Sequence, residues 1–244
     1  MLWYKAWRES QARFLLSGGT IAGLCVAFVV FHRESALVAD HAQTYAEYIW
    51  RIVYKGYLRE LFVLLALLLG VGGLLRERDY GTAPFTLALP VSRWRLIVVR
   101  AAVGIFEVTI LSFLPAVVLP TLSPLVGEVY PWSQAWQFGL LWSIGGAFLF
   151  AIGFFASIFF AGEYTAAVVA VLAMLTYSVA VEFPVVERYV PDVHDLMSGV
   201  GRPYFRPDTY RLMGPLPWTT LGGLLFLVGS SFVLAARLTE RQDF

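Results

Sequence analysis

Apolar residues in this chain run on for far longer than a soluble core requires, and short polar stretches divide the runs. A helix needs about 20 mostly apolar residues to cross a hydrocarbon layer about 30 Å thick. Six runs approach that length, at about 14–31, 57–75, 96–119, 135–160, 164–181 and 217–236. The region from Val129 to Gly162 is too long for one crossing, so the fourth span is placed after a wet Tyr130-Pro131-Trp132 turn. The pattern predicts an all-α integral membrane protein with six transmembrane helices. No repeat or soluble domain interrupts it, so residues 1–244 are read as a single transmembrane domain.

Two shorter stretches keep a helical period without the length to span. Leu2, Trp3, Ala6 and Trp7 recur opposite Lys5, Arg8 and Glu9, which predicts an amino-terminal interfacial helix with its indoles at the headgroup boundary. Tyr45, Tyr48, Ile49, Ile52 and Val53 follow the same spacing before the second span and are also expected at the interface. Small residues four apart, Gly19, Gly23 and Ala27 on the first span and Gly139, Ser143, Ala147 and Ala151 on the fourth, allow close helix approach. Packing within one bundle and packing between subunits explain them equally well. The first run is not expected to be a cleaved signal peptide, because it exceeds the usual apolar core of about 7–15 residues.

Composition narrows the function. Hydrophobic residues make up 59% and charged residues 14%, whereas soluble proteins average about a quarter charged. A net charge of +1 without a dense basic stripe excludes a nucleic-acid partner. Cys25 is the only cysteine, so neither an internal disulfide nor a cysteine metal site is available. His32, His41 and His194 lack zinc-site spacing. Lys5 and Lys55 are the only lysines and neither follows a glycine, which removes the phosphate-binding loop. No catalytic residue, metal or cofactor is expected on this chain. Ten basic residues fall on one predicted side against eight on the other, and the dense group between spans two and three places both termini in the cytoplasm.

Glu107 is the one acid deep in a span, where an ionised carboxylate is costly unless paired, wet or protonated. A hydrogen bond to a neighbouring helix and a place on a substrate pathway are both open. Arg100, two turns away, is expected to snorkel to the cytoplasmic surface. In the outer segment from Glu182 to Leu216, Pro184, Pro191, Pro203, Pro207 and Pro215 exclude a long helix. Tyr204, Phe205 and Arg206 cluster there. The segment is expected to be an ordered lid over the outer mouth of a cavity, with a passive surface loop as the alternative.

The densest polar signal is the elbow between spans two and three, Arg76-Glu77-Arg78-Asp79-Tyr80-Gly81-Thr82, running on to Pro90-Val91-Ser92-Arg93. Gly81 is suited to end the second span and Thr82 to cap a short helix whose early Pro84 is tolerated in a first turn. Pro90 stops that helix and Ser92 is placed to cap the third span. The expected short cytoplasmic coupling helix, Ala83 to Leu89, has Phe85, Leu87 and Leu89 to bury. Such a segment suits a grip for another protein, and an ordinary charged loop is the alternative.

At these residues the chain resembles the membrane subunits of ATP-binding-cassette exporters of the type-2 permease family. That family shows an E-R-E-x-G-T stretch after its second span, a short helix, and then P-x-S/T-R with a further basic residue opening the third. The matching positions are Glu77, Arg78, Asp79, Gly81, Thr82, Pro90, Ser92, Arg93 and Arg100, with Asp79 in place of the second Glu. The six-span layout, the amino-terminal helix and the Arg241 and Asp243 ending are similar too. The resemblance implies a half-size permease in the cytoplasmic (inner) membrane of a prokaryote, paired with a second copy or a sister permease. It also implies two cytoplasmic ATPase subunits, which would carry the ATP and magnesium. Arg76, Glu77, Arg78, Asp79, Gly81, Thr82, Phe85, Leu87, Pro90 and Arg93 would couple to them, Glu77 and Arg78 by charge and Phe85 and Leu87 by seating in a cleft. An ATPase-independent channel or secondary carrier, and a membrane anchor or assembly factor, remain as alternatives.

Overall fold

The computed structural model describes residues 2–32, 42, 44–71, 92–160, 162–187 and 189–241. Helix α1 spans Leu2–Val30, and α2 spans Tyr45–Ile49 and runs into a π-helical turn at Trp50–Tyr54. Helix α3 covers Tyr57–Gly70, α4 Arg93–Leu122, α5 Trp132–Phe159 and α6 Glu163–Val181. After α6 follow the short helices α7 (Pro184–Glu187) and α8 (Val193–Ser198) and a hairpin of β1 (Phe205–Arg206) and β2 (Arg211–Leu212). In the hairpin Phe205 lies opposite Leu212 in antiparallel register. Helix α9, Trp218–Arg241, closes the chain.

Among the described residues, five helices are long and apolar enough to cross a membrane: α1, α4, α5, α6 and α9. The second expected span differs. Its helix ends at Gly70 rather than near Leu75 or Gly81, with Val71 already extended. The 14 residues of α3 cover about 21 Å at 1.5 Å per residue, and residues 72–75 of the expected span lie outside the described residues. At its end α3 meets α5 closely. A Cβ on Gly70 would collide with the Phe150 carbonyl and come within 2.7 Å of the Phe154 nitrogen, and one on Gly153 would collide with the Leu67 carbonyl. Helices α3 and α5 therefore cross backbone to backbone, which only glycine permits at both positions.

Two expected interfacial segments are corrected. The amino-terminal segment is not a separate element, because α1 is one unbroken helix of 29 residues. Its apolar residues at Phe14 onward continue the same helical period, so nothing in the sequence stops it. The segment from Tyr45 to Tyr54 does not lie on a surface: Tyr48, Ile49, Trp50, Ile52, Val53 and Tyr54 are all buried. Tyr54 stacks on Phe138 at 3.9 Å between ring centroids and meets Trp142 edge-on at 5.7 Å. An amphipathic pattern cannot distinguish a face turned to lipid from one turned to a bundle, since both reward the same apolar side chains.

Helix α5 is the axis of the fold. Of its most apolar stretch 72% is buried, against 17% for α6, and it packs on α3, α4, α6 and α9. Its row of small residues is used inside the molecule. A Cβ on Gly139 would press on the Phe113 ring at 2.8 Å, and the Ser143 hydroxyl lies 3.2 Å from that of Thr109. Ala147 and Ala151 pack on Val228 of α9. Gly19 and Gly23 of α1 differ, since a Cβ there would meet nothing within 4 Å. Ser17, Ile21, Cys25 and Val29 form the buried face of that helix instead.

Candidate functional site

Residues 72–91 lie outside the described residues, and with them Arg76, Glu77, Arg78, Asp79, Gly81, Thr82, Phe85, Leu87 and Pro90 of the expected coupling site. Arg93 opens α4, whose cap is the predicted one: Ser92 is extended and its hydroxyl accepts from the Arg95 amide at 3.4 Å. Both ends of the elbow are thus fixed in space, at Val71 on α3 and at Ser92 on α4.

A polar seam ties these two ends to α1. The Arg13 guanidinium donates to the Val71 carbonyl and lies within 3.5 Å of the Leu68 carbonyl. The last carbonyls of a helix lack intrahelical donors, and a cationic side chain both satisfies them and suits the negative end of the helix dipole. Next to it Ser10 donates to Glu107 Oε1. Glu107 is fully buried, its Oε2 has no hydrogen-bond partner among the described residues, and Arg13 is its charged neighbour. One turn closer to the amino terminus, Glu9 pairs with Arg100 of α4 and with Lys5, the latter at 3.8 Å. Arg100 therefore joins α1 instead of extending to the surface alone.

The arrangement is a lock. The ion pairs of Glu9 are partly exposed, but Glu107 is buried and the Arg13 guanidinium serves main-chain carbonyls, so removing a partner of either costs about 1–3 kcal/mol by leaving a buried polar group unsatisfied. Any displacement of α3 or α4 must carry α1 or break that seam. Sequence inspection singled out Glu107 but missed Glu9, Ser10 and Arg13 as its companions. The available signal was charge order: acid then base on α1 (Glu9, Arg13), base then acid on α4 (Arg100, Glu107), on helices that run parallel.

At the end of the bundle away from the elbow, the described residues between 182 and 216 form a structured cap. Trp50 Nε1 donates to the Ser198 carbonyl at 2.9 Å, and the Trp50 ring stacks on Phe205 at 4.8 Å. The Gln134 amide pairs with both main-chain groups of Leu212, donating at 2.9 Å and accepting at 2.8 Å. Tyr177 donates to the Pro191 carbonyl at 2.6 Å and accepts from the Val193 amide at 3.0 Å. Tyr210 donates to Glu47, itself paired with Arg51 at 2.7 Å. Of the three expected lid residues, Tyr204 and Phe205 are buried against their own bundle and Arg206 is exposed. Burial, then the Arg59 charge, holds the His194 imidazole below its ordinary value, while burial and then Asp192 push the Asp195 carboxyl up.

No cluster of three or more metal-ligating side chains occurs among the described residues. No curated protein and no solved structure matches the chain. A family model does match: that of the ABC-2 family transporter proteins, over residues 14–187. The matched stretch takes in α1 from Phe14 onward through α7 and both flanks of the elbow; of the polar seam it includes Leu68, Val71, Arg100 and Glu107, whereas Lys5, Glu9, Ser10 and Arg13 precede it. On that match, and on a bundle of apolar helices of membrane-crossing length, the chain belongs to the ABC-2 family of transporter membrane proteins.

Proposed function

We propose that this chain is the transmembrane subunit of an ATP-driven exporter, forming half of the substrate pathway and taking its motion from separate ATPase subunits through the elbow at residues 76–93. The observation that carries the reading is the polar seam. The two helices flanking the elbow are locked to one another's neighbour α1 by Arg13 and Glu107, so a push on the elbow moves three helices as one body. Family membership supplies the expectation of an ATPase partner. ATP and magnesium belong to that partner. A second permease copy or a sister permease completes the pathway, and both termini lie in the cytoplasm of a prokaryotic cell. Glu77 and Arg78 pair with charges on the ATPase, and Phe85 and Leu87 seat in its cleft. Arg206, exposed on the outer cap, is the residue of the lid free to meet departing substrate.

Co-purification tests the reading. The double substitution Glu77→Arg with Arg78→Glu is expected to remove the ATPase from the detergent-solubilised complex while membrane insertion stays intact. Unchanged co-purification together with unchanged ATP-coupled transport would overturn the docking assignment. A native chain that never retains an ATPase would return the choice to an ATPase-independent carrier or an anchor.

A further inference from the structure

Helices α6 and α9 both pack on α5 and scarcely touch one another. Between them lies a cavity of about 730 Å³, floored by Phe148, Ile152, Phe155 and Phe159 of α5 and walled by Val169 and Ala173 of α6 and Leu227 and Leu234 of α9. Its size falls inside the range of about 300–1,000 Å³ typical of small-molecule sites. The lining is apolar apart from Ser230 and Ser231. Those hydroxyls donate to the carbonyls of Leu227 at 2.9 Å and Val228 at 2.7 Å, so they ask nothing of an occupant.

The shape is that of a slot along the membrane normal. From Phe148 to Phe160 the floor runs about 18 Å at 1.5 Å per residue, close to the about 15 Å depth of one leaflet. It occupies the half of the bundle nearer the elbow. A polar substrate finds no partner in it, whereas one hydrocarbon chain is solvated throughout. The mouth adds a sign of charge. On α9 the positions 230 and 234 that line the slot continue on the same face to Arg237, one turn closer to the membrane surface. Arg237 is exposed and forms no ion pair among the described residues.

We propose that this slot holds one acyl chain of an anionic phospholipid of the elbow-side leaflet, with the phosphate at Arg237. The inference stands apart from ATPase docking, and takes from the proposed orientation only the name of the leaflet. Uncharged surrounding lipid has no reason to stop there. An anionic lipid does, because slot and cation are one turn apart and each alone is weak.

The test uses the full chain in vesicles of phosphatidylcholine and phosphatidylglycerol in equal parts, with a phosphatidylglycerol carrying a diazirine midway along one chain. Photolabelling is expected to concentrate on α5 and α9 peptides that include Phe155 and Leu234. Ala173, exposed at the slot wall, is the place to fill it without disturbing the core. Ala173→Trp is expected to reduce slot labelling to the level seen on the outward face of α1, with unchanged yield of folded protein. Arg237→Ala is expected to lower the preference for phosphatidylglycerol over a matched phosphatidylcholine probe about fivefold, the worth of one cation at an anionic surface. Labelling of the slot no stronger than that of the outward face of α1, or unmoved by Ala173→Trp, would reduce the occupant to ordinary surrounding lipid and overturn the proposal. A diazirine fatty acid that phosphatidylglycerol fails to displace would overturn it in favour of a free acid. Labelling lost whenever two permeases pair would assign the slot to the partner copy.

Discussion

Arg13 of α1 donates to the main-chain carbonyl of Val71, the first residue beyond the end of α3. A side chain near the amino terminus thus closes the helix that leads into the elbow, and its charge also faces the buried Glu107. Arg13→Ala leaves an orphan carbonyl and an unpaired acid in a water-poor place. The loss is expected to be about 2–3 kcal/mol, the upper end for a charged hydrogen bond, read as a lower thermal midpoint in detergent. Arg13→Lys is expected to recover only part of it, since the shorter, flexible ammonium side chain lacks the reach and the fixed planar donors of the guanidinium. A midpoint for Arg13→Ala equal to that of the native chain would show that the seam carries no load.

Gly153 and Gly23 make a matched pair of opposite outcome. A methyl at Gly153 drives α5 into the Leu67 carbonyl, whereas one at Gly23 meets nothing within 4 Å. Gly153→Ala is expected to cost about 1–3 kcal/mol as overpacking against backbone that has no room to yield. Gly23→Ala is expected to shift the midpoint by less than about 0.5 kcal/mol in either direction. Size-exclusion profile and melting of both variants decide it, and equal behaviour would refute the backbone crossing.

Phe205 and Arg206 are neighbours with different tasks. Phe205→Ala removes the ring stacked on Trp50 and is expected to undock the cap at a cost of about 3 kcal/mol, seen as rapid proteolysis between residues 199 and 216. Arg206→Ser is expected to leave the cap intact and lower transport. If Arg206→Ser transports at the native rate, the cap is a structural cover and not a lid that substrate meets.

Acid should loosen the same cap. His194 lies 3.2 Å from the Ser178 hydroxyl, and Arg59, Glu60, Asp192 and Asp195 are the charges around it. Its folded value is lowered, so between that value and the unfolded one, about 6.5, the unfolded chain binds more protons. The His194 contribution is complete above about pH 6.5 and is lost as pH falls below it. Asp195 acts with the opposite sign: its raised value disfavours the folded state at neutral pH, with relief only as the carboxyl protonates at lower pH. Hydrogen exchange across Val193 to Ser198, corrected for intrinsic rate, is expected to quicken from about pH 7.5 to 5.5, and His194→Gln to flatten that change. A His194→Gln profile as steep as the native one would remove His194 as the cause.

Orientation is open to a direct reading because Cys25, the one native thiol, is buried. A cysteine at Tyr80 is expected to resist a membrane-impermeant maleimide in intact cells, and one at Arg206 to react. The reverse pattern would invert the topology.

The apolar runs by themselves determined that the chain is helical and lives in a membrane, because only a helix satisfies its own backbone across hydrocarbon. They also located the apolar runs that fall on α1, α4, α5, α6 and α9, though not the start of α1 at Leu2, and Ser92 as the cap of α4. Local chemistry decides such features, and it is written in consecutive residues. The tertiary structure decided what depends on distant partners. Gly70 admits no side chain because Phe150 and Gly153 lie against it, and Trp50 is buried because Phe205 and Ser198 cover it. Glu107 has Ser10 as its bond and Arg13 as its charge only because α1 and α4 run side by side. A hydrophobic pattern records how much each residue avoids water. It does not record which neighbour removes the water, and in this bundle that choice makes the seam, the cap and the slot.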